Sequence, residues 1–216
     1  MGGLPIDLVL FGLVAVFLVL RLISVLGKRT GYEQPAPRLV PQPIPPVAAP
    51  VIEAVAEKPS RALPDPNGPV GQILLAMTRV DPNFAPQRFL DGAEAAFRLI
   101  VAAYANGDRQ ALHRLLSDDT YRAFEGAIAA REAEGHVQKT DIRSVENVTI
   151  DHAELAGSVA TISVRFVSDQ VNITLDAQGA VVAGADAVTE IVDVWSFERD
   201  LAQPDPAWRL VAARSA

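Results

Sequence analysis

No cysteine occurs in the 216 residues, and histidine occurs only at 113, 136 and 152. The first absence excludes disulfides, thiolate metal sites and a cysteine nucleophile. It fits a cytoplasmic domain without requiring one. The histidines are too widely spaced to read as a ligand cluster: His113 falls on a short helix, His136 at a helix end and His152 in a turn, all surface positions. A glycine-rich phosphate loop is also missing, because Gly179 and Gly184 in DAQGAVVAG flank a turn instead of opening a helix after a strand. The acid pair Asp118 and Asp119 stands at an expected helix start, where the macrodipole favours it without any catalytic role. No metal or cofactor is expected, and the chain reads as non-enzymatic.

Positive charge is scarce where a polyanion would need it. From residue 70 onward 13 Lys and Arg face 21 Asp and Glu, a balance of −8. An acidic surface of this kind argues against nucleic acid and against broad adhesion of the domain to anionic lipid. Residues 1–5 contain no Lys or Arg at all, so the apolar run that begins at Ile6 has no basic flank on its N-terminal side.

Residues 6–26, IDLVLFGLVAVFLVLRLISVL, carry no charge between Leu8 and Leu20. As a helix at ~1.5 Å per residue they reach about 30 Å, the thickness of a bilayer core. Asp7 and Arg21 lie near its two ends, where side chains reach headgroups by snorkelling. Arg21, Lys28, Arg29 and Arg38 all lie on the C-terminal side, so the positive-inside rule places the N-terminus outside and the rest of the chain in the cytoplasm. A cleaved signal peptide fits less well, since the run is preceded by Asp7 instead of a basic region and followed by Gly-Lys-Arg. Residues 1–30 are therefore expected to form a single-pass anchor with a basic flank.

Residues 31–69 show no helical or strand period, and eleven of the 16 prolines lie between Pro35 and Pro69. Such a segment favours extended polyproline II and buries no core; at ~3.1 Å per residue the contour from Gln34 to Pro69 is about 110 Å at most. It reads as a semi-rigid tether. The loose motif PQPIPP is a weaker hint of a docking site for a proline-recognising module.

Residues 70–216 have the make-up of one α+β domain. Helices are expected over 70–80, with Ile73, Leu74 and Met77 on one side, and over 86–105, with Phe89, Ala93, Phe97, Ile100 and Tyr104 sharing a face. Asn106-Gly107 ends the second, Asp108 caps a third, and Ser117 caps a fourth. The period then changes, and strands are expected over 142–150, 158–167, 171–175, 188–199 and 208–213, with turns at Asp151-His152, Ala156-Gly157 and Gln178-Gly179. Helices first and strands afterwards indicate an antiparallel sheet with helices on one face. A pocket in such a sheet would be lined by Phe97, Tyr104, Phe166, Asp193 and Trp195. Asp193 either points into it, or sits on an edge or pairs with an arginine such as Arg165.

The runs VLRLISVLGKRTG, FLDGAEAAFRLIVAAYANGDRQALHRLLSDDTYRAFEGAIAARE, TISVRFVSD, VDVWSFERD and PAWRLVAA resemble bacterial members of the Tim44-like family, named for the matrix-side anchor of the mitochondrial import motor. The resemblance implies a nuclear-transport-factor-two-like fold, a helical layer on a bent antiparallel sheet around a hydrophobic cavity. It implies a location at the bacterial inner membrane and contacts with a translocase, insertase or chaperone. The long charged segment that carries much of the chaperone contact in the mitochondrial protein is replaced here by the proline-rich one. Lipid contact in that family maps to about residues 70–98, where Arg79, Arg88 and Arg98 are balanced by Asp81, Asp91 and Glu94. Contact with anionic lipid or a partner would therefore fall on Ile73, Leu74 and Met77. The expected function is a tether or scaffold whose cytoplasmic domain binds a protein in membrane-protein transport, insertion or assembly. The alternatives are a lipid-surface domain and a cavity that binds a ligand or catalyses a reaction.

Overall fold

Residues 61–215 are described by the computed structural model; the expected anchor with Arg21, Lys28 and Arg29, and the linker up to residue 60, lie outside them. No helix among the described residues is long and apolar enough to cross a membrane. Among the described residues four helices, α1 (Pro69–Val80), α2 (Pro86–Asn106), α3 (Arg109–Leu115) and α4 (Asp118–Ala133), precede four strands, β1 (Val137–Ala156), β2 (Val159–Leu175), β3 (Val181–Asp200) and β4 (Arg209–Ser215).

Local chemistry sets the helix boundaries. Pro69 and Pro86 occupy first-turn positions, where a missing N–H costs nothing. Gly107 ends α2 in the left-handed region, at φ 68°. Asp108 then accepts a hydrogen bond from the Ala111 N–H, and Ser117 accepts one from the Thr120 N–H, so α3 and α4 begin at the expected caps.

The strands form one antiparallel meander in the order β1-β2-β3-β4. The expected strands 158–167 and 171–175 are one continuous β2. The polar stretch Ser168-Asp169-Gln170 reads as a break, yet its ladder stays paired, and the inward Gln170 amide donates to Ser168 Oγ at 2.8 Å. Asp151-His152 is not a turn either; β1 runs through it to Ala156 with a register shift between Ile150 and His152. Two further shifts in β1 leave Arg143 and Glu146 as extra residues, alongside Asp151. All three are exposed and charged. Bulges bend the ribbon, and charges on a free edge discourage pairing with another chain.

One apolar core lies between the helical layer and the inner face of the sheet. Ala160, Ile162, Val164 and Phe166 of β2 alternate inward and meet Trp195 and Phe197 of β3 across the ladder, beneath Phe97 and Ile100 of α2. Helix α1 packs on β1, and its inward residues are Leu74, fully buried Met77 and, partly, Ile73. This corrects the membrane or partner contact expected of these three. They lie at i, i+1 and i+4, the stripe by which α1 attaches to the domain, and the apolar side chains α1 exposes are Leu75 and Val80.

Candidate functional site

The segment between α1 and α2 is bracketed by Pro82 and Pro86 and closed by Asp81. The Asp81 carboxylate accepts from the Asn83 N–H at 2.9 Å, while its carbonyl accepts from the Phe84 N–H at 2.9 Å. This tight turn directs Phe84 back toward the domain. The carboxylate also pairs with Arg199 of β3 at 3.0 Å, both side chains being nearly buried, and the Arg199 Nε–H donates to the Asp205 carbonyl at 3.1 Å. One guanidinium thus ties the α1–α2 turn to the β3–β4 connection, bringing Phe84 to Trp208 at a centroid distance of 5.9 Å.

Between these two loops and α2 lies an open groove of about 450 Å³. Its aromatic floor is continuous: Trp208 meets Phe89 edge-on at 4.7 Å, and Phe89 meets Phe197 edge-on at 6.1 Å. Gly92 keeps the α2 wall low, since a Cβ there would meet nothing within 4 Å. The lining contains Arg88, Arg114 and Arg199 and no Asp or Glu. Arg199 is already paired with Asp81, so on a domain with an excess of acids this is an apolar trough whose cationic rim is Arg88 and Arg114. It suits an apolar chain segment that presents carbonyls or carboxylates, and it assembles no nucleophile, base or metal set for a reaction.

The five residues expected around a cavity lie elsewhere. Phe97 stacks on Phe166 at 4.5 Å with planes 10° apart, and Trp195 meets Phe97 edge-on at 4.8 Å. These rings occupy one another's faces in the core. The indole N–H of Trp195 is buried without a hydrogen-bond partner. Tyr104 lies two turns further along α2, against Phe124 at 5.3 Å and under the Arg131 guanidinium. Asp193 is buried on the inner face and accepts from Ser215 Oγ at 3.0 Å; Arg165 is on the opposite face, beside Asp151 at 3.3 Å.

Sequence reasoning missed a polar line along the inner sheet face. Arg131 donates to Gln138, Gln138 to Thr140, Thr140 to Asn172, Asn172 to Gln170 and Gln170 to Ser168, at 2.6 to 3.3 Å. Arg131 also caps the end of α2 by donating to the Tyr104 and Ala105 carbonyls. Each member is satisfied by the next, so the line fixes α4 against the sheet. Next to Arg131 on α4, Glu132 is gripped by Arg109 through two hydrogen bonds of 3.1 and 2.7 Å, which hold its carboxyl below the usual carboxylate range.

Sequence reasoning also missed the groove, apart from Phe89. Its signals were present but dispersed: Phe84 between two prolines, and Trp208 just after Pro204 and Pro206.

The Tim44-like domain profile matches residues 70–215, which takes in all of α2 to β4, the groove and the core beneath it. The chain belongs to the Tim44-like domain family. No curated protein matches it significantly. Among solved structures it is similar to the intermembrane space region of the chloroplast protein ARC6, at 10% identity and a TM-score of 0.42, covering 58% of this chain and 94% of that one. It is also similar to a putative dehydratase of the NTF2-like family from Streptomyces avermitilis, at 15% identity and a TM-score of 0.37, covering 60% and 97%. In this Tim44-like chain the groove and the stacked aromatic core are separate features of one domain.

Proposed function

We propose that this Tim44-like protein is a non-enzymatic scaffold of the bacterial inner membrane. In this reading residues 1–30 hold it as a single-pass anchor with the N-terminus outside, and the cytoplasmic domain captures an apolar segment of a protein being transported, inserted or assembled. The aromatic groove with its arginine rim carries the proposal. Its rings supply apolar contact and its guanidinium groups meet carbonyls or carboxylates, a combination suited to an extended segment. The apolar run and the Lys and Arg behind it support the anchor and its orientation. Tethering supplies what a modest groove lacks in affinity, since a linked partner is met at effective concentrations up to about millimolar.

Photo-crosslinking in living cells tests this reading. A benzophenone amino acid at Ala207, on the groove, is expected to trap a translocase, insertase or chaperone subunit, and the same probe at Asp169, on the far side of the sheet, is not. Deleting residues 1–27 is expected to abolish the adduct while the domain stays folded. Equal yields from both positions, or adducts confined to lipid, would refute it.

A further inference from the structure

We infer that the groove is occupied in cis by the protein's own proline-rich segment, residues 45–53, PPVAAPVIE. Three observations converge on this occupant. The first is donor and acceptor balance. Groove-lining groups that donate are abundant, on Asn83, Arg88, Arg114 and Trp208, whereas carboxylate acceptors are absent from the lining. A proline-rich strand is the complement, because each proline offers a carbonyl and brings no N–H of its own. Its rings pack on aromatic faces, and Phe84, Phe89 and Trp208, in contact with one another at tilts of 47 to 62°, offer such faces along the groove.

The second is charge. The one charge in residues 45–53 is Glu53, at the domain-proximal end of the segment. It would meet Arg88 or Arg114; the latter is exposed and makes no ion pair among the described residues. The third is where the described chain begins. Arg61 is pinned to Asp91 and Glu94 of α2, the helix whose other flank carries Arg88, Phe89 and Gly92 into the groove. From residue 60 back to Glu53 an extended chain covers about 22 Å, enough to pass around a helix roughly 10–12 Å across.

Docked this way, the segment would compete with any other occupant of the groove; the docking itself does not rest on the partner-capture reading.

The test uses the full-length protein in detergent micelles. The chain contains two tryptophans, so Trp195→Phe leaves Trp208 as the sole emitter. Replacing Pro45, Pro46 and Pro50 by Ser alters only the segment. It is expected to raise acrylamide quenching of Trp208 by about twofold or more, independent of protein concentration, as displacement of an intramolecular ligand requires. Unchanged quenching, or a change that varies with protein concentration, would overturn the inference. Should Trp195→Phe fail to fold, a nitroxide on Ala49→Cys, in a chain with no other cysteine, provides the second readout. It is expected to broaden the indole N–H signal of Trp208 and spare that of Trp195, and equal broadening or none would overturn the proposal. Neither readout involves a partner, so a negative result leaves the capture reading intact.

Discussion

Phe97→Ala is the sharpest test of whether the stacked rings are structural core. Phe97 is fully buried, lies on Phe166 at 4.5 Å and meets the edge of Trp195 at 4.8 Å. A buried phenyl side chain removes on the order of 150 Å² from water, about 4 kcal/mol at 25 cal/mol per Å². Alanine keeps part of this, and the cavity it leaves adds a comparable penalty, so the expected loss is about 4 kcal/mol, within the usual range for Phe to Ala in a core. With a urea m-value of about 2 kcal/mol/M the midpoint should fall by about 2 M at unchanged m. The assay is urea unfolding followed by both far-UV circular dichroism and tryptophan fluorescence, whose transitions should coincide. Leu99→Ala, on the same helix at 58% exposure, is the control and should move stability by less than about 0.5 kcal/mol. A Phe97→Ala midpoint within about 0.5 M of wild type would show that the ring is not packed as described and would restore a ligand cavity at this position.

The same structure dictates three further outcomes. Gly92→Ala should stabilise the domain by about 0.5–1 kcal/mol in thermal unfolding, because α2 gains helix propensity and the new methyl meets nothing; a loss would mean the groove wall is not open. Gly184→Ala should be severely destabilising, since φ is +79° and a Cβ would stand 2.0 Å from the Asn172 carbonyl oxygen, and hydrogen exchange along β2 and β3 should report it. Asp200 is held below the usual carboxylate value of about 4, first by the Ser158 side chain and then by the Ala202 N–H. A depressed carboxyl adds stability above its unfolded pKa and loses it as pH falls through the folded one, so Asp200→Asn should flatten the decline in urea midpoint below about pH 4, and curves parallel to wild type would contradict this.

Helix positions were legible because each boundary is a local event: Pro86 at a first turn, Gly107 in the left-handed region, Asp108 and Ser117 as caps. The inward face of β2 was legible from strict alternation at Ala160, Ile162, Val164 and Phe166. Alternation fails as a guide where an inward position is polar. Ser168 and Gln170 read as a strand break although their partners, Gln170 and Asn172, follow on the same strand; what only the pairing of β1 and β2 supplies is Thr140, which donates to Asn172 and ties this row to β1.

The amphipathic stripe on α1 was recognised, but a stripe shows only that something covers it. That β1 does so is a tertiary fact. The aromatics of the expected cavity illustrate the same division. Sequence alone determined that Phe97, Phe166 and Trp195 face one another's layer, since helical and strand periods fix direction within each element. Whether rings that face each other stack or leave a void depends on how closely the layers approach, and here they stack. The groove depended on tertiary structure altogether, because Arg199 brings together residues 84, 89 and 208 from three separate segments, and no local pattern encodes that meeting.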